Sequence, residues 1–257
     1  MKPWAPLASP GASVEPLEPG GWRLAIPAGQ AGAFRVAQVD DYYTLARRSF
    51  RWSPPCRLVL RARTSARDLP GTWGFGWWND PFSLNLGLGG AARRVPALPN
   101  AAWFFHASPP NFLSFSDRLP AQGFLTAVFR APRLPLPVMA VGLPFLPLLG
   151  VPPAARLLRR LAHRLIGEDV TALDLDETQW HEYAVEWQPQ GVVWRGDGRE
   201  VFRTAVSPRP PLGVVIWVDN QYAAFPPGGR LKLGMLPSPQ PAWLEVCDVR
   251  VEPGGET

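Results

Sequence analysis

The segment 180–202, WHEYAVEWQPQGVVWRGDGREVF, constrains the fold more than any other part of the chain. Its side chains alternate between the two faces of an extended chain along 182–187, and apolar residues resume at 192–194 after a turn that contains Pro and Gly. A second turn, Asp197-Gly198, precedes another short apolar run. Period-two alternation interrupted by tight turns is typical of antiparallel hairpins with one buried face. We therefore predict consecutive strands at Trp180–Trp187 and Val192–Trp194.

The rest of the chain favours the same all-β class. The 257 residues include 32 Pro and 24 Gly, and strand-like runs recur at short intervals from Trp22 to Val251. This pattern favours many short strands joined by turns, and sandwiches of this length are common as single domains. The hydrophobic fraction of 46% and the 12 Trp supply an ample core. We predict a single antiparallel β-sandwich over 21–257, preceded by an irregular lead-in at 1–20.

The segment 134–168 interrupts the strand pattern. Its first part is apolar but carries four prolines, which would disturb a membrane-spanning helix, and it is short for one. Its second part begins with Pro152-Pro153 and ends at Gly167, signals that suit the start and the end of a helix. We predict a helical insertion that acts as a lid over the sandwich or an interface, as a membrane contact, or as a solvated arm.

The predicted helix is amphipathic and basic. With about 100° of rotation per residue, its leucines fall on one half and its arginines on the other. Leucines suit the acyl boundary of a bilayer and arginines suit anionic headgroups, so peripheral membrane contact is one expected role. The residues expected to make that contact are Arg156, Arg159 and Arg160.

Charge and cysteine content exclude some other classes. The net charge is +5, but basic residues form no dense run with interleaved aromatics outside that helix, so nucleic-acid binding is not expected. Cys56 and Cys247 cannot build a disulfide framework and are expected to be small buried apolar groups, although one bond between them is an alternative. The N-terminal residues contain no apolar stretch of signal-peptide length, so a cytoplasmic location is expected.

Several motifs resemble one known superfamily. His181-x-Tyr183-x-x-x-Trp187, followed by a Gly turn, an aromatic strand and Asp197-Gly198, resembles the hairpin pair of family 16 glycoside hydrolases and related concanavalin A-like glucanases. GTWGFGWWND at 71–80, WVDNQY at 217–222 and WLEVCDVRV at 243–251 are similar to further strands in the same order. The resemblance implies a concanavalin A-like jelly-roll sandwich with one amphipathic helical insertion.

The same resemblance argues against the chemistry of that family. Its catalytic strand reads Glu-x-Asp-x-x-Glu, and two carboxylates are needed for either ordinary glycosidase mechanism. The matching strand here is 99–108, PNAAWFFHAS, where the motif falls near Ala101, Trp103 and His106. No residue of this strand is a carboxylate. We therefore predict a non-hydrolytic ligand-binding protein and no turnover of glucans.

The aromatic residues that replace the carboxylates predict a groove for a glycan or for an apolar small molecule. Either Phe105 or Phe104 is expected on the groove side. The alternative is that the sheet has closed over this position and these aromatics are simply core. The predicted ligand-binding residues are Trp77, Trp78, Trp103, Phe105, His106, Asn220 and Tyr222.

Two other functions remain open at this stage. One is an isomerase-like or cyclase-like enzyme acting on an apolar substrate, with His106, Asp80 or Asp219 as the acid/base group and 134–168 as its lid. The other is a peripheral membrane or partner-docking protein that uses the basic helix. No cofactor is expected, but the resemblance implies a structural calcium ligand at Asp248. The sequence does not indicate an oligomeric state.

Overall fold

The computed structural model describes residues 4–81, 94, 97–134 and 150–254. The strands are β1 (Ala5–Ala8), β2 (Ser13–Leu17), β3 (Gly21–Ile26), β4 (Val36–Asp40), β5 (Cys56–Thr64), β6 (Thr72–Trp78), β7 (Ala101–Ala107), β8 (Gly123–Arg130), β9 (Gly167–Ala172), β10 (His181–Gln188), β11 (Gly191–Gly196), β12 (Arg199–Thr204), β13 (Gly213–Asp219), β14 (Gln221–Ala224), β15 (Lys232–Met235) and β16 (Ala242–Pro253). A short 3₁₀ turn lies at Arg47–Ser49, and the helix α1 spans Pro152–Leu165.

The strands form two seven-stranded antiparallel sheets. The front sheet has the order β1-β4-β13-β6-β7-β8-β9, and the back sheet has the order β12-β11-β10-β5-β16-β3-β2. The strands β14 and β15 form a separate small hairpin. The structure is therefore an antiparallel jelly-roll sandwich with one helical insertion, as the sequence predicts.

The predicted hairpin is confirmed, with strand bounds that differ from the prediction by one or two residues. β10 and β11 pair in antiparallel register from Tyr183 opposite Gly196 to Gln188 opposite Gly191. The next turn places Asp197 at φ 48° and Gly198 at φ 75°. Glycine adopts this left-handed conformation at no steric cost, and Asp tolerates it better than most residues, which explains the Asp-Gly pair.

The prediction of an irregular lead-in at 1–20 is wrong. β1 pairs with β4 and β2 pairs with β3, so each forms an edge of its sheet. Pro6 and Pro16 lie within these strands, and proline is tolerated at edges because its missing N–H can face away from the ladder. A half-exposed edge strand does not require apolar and polar residues to alternate strictly. The sequence pattern of β1 and β2 is therefore too weak to predict them as strands.

The main core lies between the two sheets and is rich in aromatic residues. Trp77 of β6 packs against Trp187 of β10 with ring centroids 5.6 Å apart. Phe104 of β7 contacts Tyr183 of β10 edge to face, at 4.8 Å. Edge-to-face and tilted contacts at these distances are favoured by the ring quadrupoles. The alternating positions 183 and 187 therefore form the buried face that the sequence predicts.

A second apolar cluster covers the outer face of the front sheet. Its members include Trp103, Phe105, Phe129 and Trp217, all buried. The segment 112–121 and the C-terminal part of α1 pack against it. The domain thus has two apolar layers, and the groove that the resemblance predicts falls on the second.

The helical insertion is only partly described. α1 begins with Pro152 and Pro153 in its first turn, as predicted, and Gly167 starts β9 directly after the helix. The apolar run at 135–149, on which the expectation of a lid depends, lies outside the described residues. Among the described residues, no helix is long and apolar enough to cross a bilayer.

Candidate functional site

The outward side of β7 is where the resemblance expects catalytic carboxylates. Ala101, Trp103, Phe105 and Ala107 belong to the outer cluster, whereas Ala102 and Phe104 belong to the core between the sheets. Successive side chains of a strand point to opposite faces, so this division follows from the regular geometry of β7. The four outward positions hold no ionisable side chain.

The expectation that His106 lines the same groove as Trp103 is wrong. The two residues are three positions apart, an odd number, so a regular strand directs them to opposite faces. His106 stacks on Trp73 inside the sandwich, with ring centroids 5.7 Å apart and an interplanar angle of 8°. Its Nδ1 lies 3.8 Å from Oε1 of the buried Glu177, and neither ring nitrogen has a hydrogen-bond partner.

Trp77 and Asn220 are also misplaced by the sequence prediction. Trp77 is fully buried between the sheets, on the face opposite to Trp103. Asn220 is buried as well, and its amide holds the main chain together. Its Oδ1 accepts a bond of 2.8 Å from the Arg35 N–H, and its Nδ2 donates to the carbonyls of Ala33 and Leu236. This side chain is a structural link between loops.

Tyr222 lies outside the aromatic cluster. It is half-buried on β14 and pairs with Gly234 across the small hairpin. A Cβ at Gly234 would come within 2.6 Å of the Tyr222 ring, so the ring rests directly on the opposite strand. Of the predicted ligand-binding residues, the structure brings together Trp78, Trp103 and Phe105 alone.

These three residues form a tight cluster with Trp217 of β13. The ring of Trp103 lies 5.6 Å from that of Phe105 and 5.6 Å from that of Trp217. Trp78 stacks on Trp217 at 6.2 Å with an interplanar angle of 5°. Trp103 and Trp217 are each only 8% exposed. The aromatic face is thus largely withdrawn from solvent.

The space beside this cluster is very small. The cavity lined by Trp103, Phe105 and Phe129 has a volume of about 20 Å³. A volume of this size holds about one water molecule. The expected groove for a sugar ring is therefore closed in the described structure, and the aromatic residues serve as core.

Asp219 is the predicted acid/base residue with the strongest electrostatic perturbation. It ends β13 on the outer face, where its Oδ1 accepts bonds from the Thr72 hydroxyl at 2.9 Å and from the Gln221 N–H at 3.0 Å. Burial raises the pKa of Asp219 to about 7, although these hydrogen bonds favour the charged form. Asp219 does not line the small cavity beside the aromatic cluster.

Glu168 is a second carboxylate of the outer face, half-buried, and the sequence reasoning missed it. Its Oε2 accepts a bond of 2.8 Å from the Phe115 N–H, whereas its Oε1 has no hydrogen-bond partner. Burial raises the pKa of Glu168. Its alternation with the buried Val170 could have revealed a short strand, but the residue falls within the segment predicted as an insertion.

Glu168 and Asp219 do not form a catalytic pair. Glu168 pairs with Phe129, which lies opposite Ala101, whereas Asp219 pairs with Thr72, which lies opposite Ala107. They are therefore at opposite ends of β7, about 20 Å apart along the strands, and on different strands as well. A retaining glycosidase needs about 5 Å between its carboxyl groups and an inverting enzyme less than about 10 Å.

The two remaining predicted site residues, Asp80 and Asp248, are each held by contacts with neighbouring residues. The Asp80 carboxylate forms an ion pair with Arg94, and the Asp80 carbonyl accepts a bond of 2.6 Å from Arg47. Asp248 lies at an irregularity in β16 with φ 54°, and its N–H donates to the Pro19 carbonyl. Within the described part of the chain, no three His, Cys, Asp or Glu side chains are grouped as metal ligands. A calcium ion at Asp248 remains a prediction.

The helix α1 is rotated about its axis from the expected orientation, while Arg156, Arg160 and Arg164 remain exposed as expected. Arg159, predicted on the solvent side, is 3% exposed, whereas Leu157, Leu161 and Leu165 are 52%, 42% and 55% exposed. The prediction that Arg159 contacts a membrane is therefore wrong. A helical wheel assumes that leucines face the core, but it contains no information on hydrogen-bond acceptors in the surface below.

Those acceptors explain the burial of Arg159. Its Nη1 donates to the carbonyls of Ser114 at 2.5 Å and Phe225 at 2.6 Å, and its Nη2 donates to the Ser116 carbonyl at 3.1 Å. The Asp117 carboxylate lies 2.9 Å from Nη2. A planar guanidinium with five donors can satisfy several such acceptors at once, which a lysine cannot.

Next to this contact lies the larger of the two cavities. It is a groove of about 850 Å³ between α1, the segment 115–118 and Pro227. Its lining includes four arginines, one histidine and one acid, and the acid is the partner of Arg159. The charged and titratable residues of the groove are Arg118, Arg156, Arg159, Arg160, His163 and Asp117. The groove therefore carries an excess of positive charge.

Comparison with known proteins supports the fold. No family model and no curated protein sequence matches the chain. A family 16 endo-glucanase of Bacteroides ovatus superimposes with a TM-score of 0.50 and 10% identity, over 97% of this chain and 94% of that one. The chain has the glucanase-like fold. The resemblance to concanavalin A-like proteins expected from the motifs is thus confirmed at the level of the fold.

Two further solved structures are similar at lower scores. A legume lectin-like domain of Entamoeba histolytica has a TM-score of 0.49 and 8% identity, over 98% of this chain and 90% of that one. A protein of Mycobacterium tuberculosis described as an immunostimulatory antigen and pseudo beta-1,3-glucanase has a TM-score of 0.44 and 14% identity, over 98% and 91%.

Proposed function

We propose that this protein is a non-hydrolytic binding protein on a glucanase-like scaffold. The observation that carries the proposal is the outward side of β7, where Ala101, Trp103, Phe105 and Ala107 occupy the positions of the cleft. None of them can act as a nucleophile or as an acid, and both are required for glycosidic cleavage. The two carboxylates on the outer face, Asp219 and Glu168, are too far apart to replace them.

We further propose that the ligand does not bind on the aromatic face, where the sequence alone suggested a glycan or an apolar molecule. Binding there would require the segment 112–121 to leave. That segment is held by main-chain bonds of 2.9 Å between Phe112 and both Ala223 and Phe225, and by the bond from Phe115 to Glu168. Breaking these bonds would also expose the aromatic cluster to water, at a large cost in free energy.

We infer that the groove beside α1 is the binding site and that its ligand is an anion. The groove is large enough for a ligand with several polar groups, whereas the cavity at the aromatic face is not. Arg118, Arg156 and Arg160 are exposed at its wall, so their guanidinium groups are available to phosphate, sulfate or carboxylate oxygens. Arg159, in contrast, is already saturated by protein acceptors.

Two measurements test the proposal. The protein should release no reducing sugar from laminarin or lichenan, and turnover of either would refute its non-hydrolytic character. Inorganic pyrophosphate and a hexuronate oligomer, titrated by isothermal calorimetry at low salt, should bind. The double variant R156E/R160E should weaken this binding at least ten-fold.

A matched control separates the groove from net charge. Arg61 and Arg250 are exposed on the back sheet, so R61E/R250E changes the charge by the same amount on a different sheet. The control should bind these anions as the parent does. An equal loss in both double variants would show that binding depends on overall charge, and the groove would then not be the site.

A further inference from the structure

The solvent-facing side of α1 carries a line of exposed leucines. Among the described residues, six large hydrophobic side chains are exposed, and four of them are Val151, Leu157, Leu161 and Leu165. The three leucines are spaced by four residues, so they form one line along the helix. Exposed apolar side chains that are scattered singly are ordinary, but a continuous line of them indicates a binding surface.

Positive charge flanks this line on the same side of the helix. With about 100° per residue, Arg164 and Arg160 lie about 20° and 60° from Leu157, on the side away from Leu161. Both arginines are exposed. The charged groove containing Arg118 and Arg156 continues from this edge. The outer side of α1 thus combines a leucine ridge with a cationic margin.

We propose that α1 lies in the surface of an anionic phospholipid bilayer. The leucine ridge enters the boundary of the acyl chains, and the arginines of the margin and the groove bind the lipid phosphates. This inference rests on the proposed anion site and names the source of the anion. Charge complementarity supports membrane binding. A helix with one line of apolar residues and cationic residues beside it matches the acyl-chain boundary and the anionic headgroups of such a membrane.

The contacts of Arg159 fix the outward orientation of the leucines even when the protein is not bound to a membrane. Since its guanidinium is bound to the carbonyls of Ser114, Ser116 and Phe225, α1 cannot rotate about its axis without breaking those bonds. Ala155 and Ile166 are buried on the same side of the helix. The leucine ridge is therefore held outward by the fold, and membrane contact needs no rearrangement of the domain.

A single exposed helix suits a bilayer better than a protein partner. α1 has 14 residues and is about 21 Å long, so its outer face alone is smaller than the roughly 800 Å² per partner of a stable protein interface. A bilayer surface requires no complementary shape and can also engage the neighbouring groove. A second copy of the chain remains as an outcome that the experiment must detect.

The experiment is flotation of the full chain with vesicles of phosphatidylcholine alone or with one quarter phosphatidylglycerol. The parent protein should float with the anionic vesicles at low salt and not with the neutral ones. L157E/L161E and, separately, R160E/R164E should each reduce the floated fraction at least ten-fold, and R61E/R250E should leave it unchanged. Near-ultraviolet circular dichroism should show that all variants keep the parent's packing, because the altered side chains are exposed.

The outcomes distinguish the inference from the proposed function. Binding of pyrophosphate without flotation would overturn the membrane inference and leave the anion site in place, whereas failure of both would remove both. Flotation that survives L157E/L161E would overturn insertion of the leucine ridge. Concentration-dependent dimers that disappear in L157E/L161E, without flotation of the parent, would identify a second copy as the occupant and overturn the membrane.

Discussion

The two faces of the front sheet carry similar side chains but meet different neighbours. The inner face, with Trp77 and Phe104, packs against the aromatic residues of the back sheet. The outer face, with Trp103 and Trp217, is covered by the irregular segment 112–121 and by α1. Both faces are buried, but one is covered by a regular sheet and the other by an irregular segment and the helix α1.

This difference shows how the position of the predicted groove can be closed within a sandwich fold. The strands of the front sheet keep the regular antiparallel order of the jelly roll. Apolar residues at the outward positions of β7 give the segment 112–121 a surface on which to pack, and its own apolar residues Leu113, Phe115 and Leu119 contact the cluster. Closure of this face therefore follows from apolar side chains on both β7 and the segment 112–121.

The largest expected effect compares the two faces directly. Phe104→Ala removes an inner aromatic and Trp103→Ala an outer one, and each should lower the free energy of unfolding by about 3–5 kcal/mol, since both side chains are buried in packed clusters. Urea unfolding measures both. If Trp103→Ala changes the free energy of unfolding by less than about 0.5 kcal/mol, the outer face is an open cleft and not a packed core like the inner face.

The cover of the outer face can be tested through its link to α1. Arg159→Ala leaves the carbonyls of Ser114, Ser116 and Phe225 without their donor, so it should lower the free energy of unfolding by about 2–3 kcal/mol. Arg160→Ala, one residue away and exposed, should change it by less than about 0.5 kcal/mol. Equal effects of the two substitutions would mean that α1 is not attached through Arg159.

A further effect should appear in the pH dependence of stability. Because the pKa of Asp219 rises from 3.8 to about 7 on folding, its folded form favours the protonated carboxyl. The resulting stabilisation is complete below about pH 4 and is lost as the pH rises to about 7. Asp219→Asn should flatten this slope in urea unfolding measured from pH 4 to pH 8.

Asp40 provides the control for that measurement. Burial raises its pKa to about 6, so it contributes a slope of the same sign that ends at a lower pH. Asp40→Asn should therefore flatten the curve below pH 6 and leave the fall between pH 6 and pH 7 in place. A parent protein whose stability rises over this interval would contradict the assignment for both residues.

The sequence predicted the parts of the structure that depend on local pattern. The hairpin of β10 and β11 could be read from alternation and turn residues because one face is buried and the other is polar. On β7 this contrast is missing, since Trp103, Phe104 and Phe105 are apolar on both faces. The odd spacing of Trp103 and His106 still directs their side chains to opposite faces of a strand, and this spacing can be read from the sequence.

The candidate site depended on contacts that no local pattern contains. The burial of Arg159 requires carbonyls from segments 43 to 66 residues away, which only the tertiary structure brings together. Glu168 faces the aromatic cluster because β9 adds to the edge of β8, a pairing that the sequence did not predict. In both cases the sequence did not reveal the role of a charged residue because its partners were distant in the chain.

The packing of Trp78, Trp103 and Trp217 has an optical consequence. Three indoles whose centroids lie 5.6 to 6.2 Å apart couple their electronic transitions, and the coupling depends on their mutual angles. The near-ultraviolet spectrum of the protein should therefore contain a signal from this outer cluster, beside that of the inner pair Trp77 and Trp187, whose rings also lie 5.6 Å apart. Loss of the outer signal while the far-ultraviolet spectrum persists would report the opening of the outer face separately from unfolding of the sandwich. The closed cleft thus contains its own spectroscopic reporter, without any added dye.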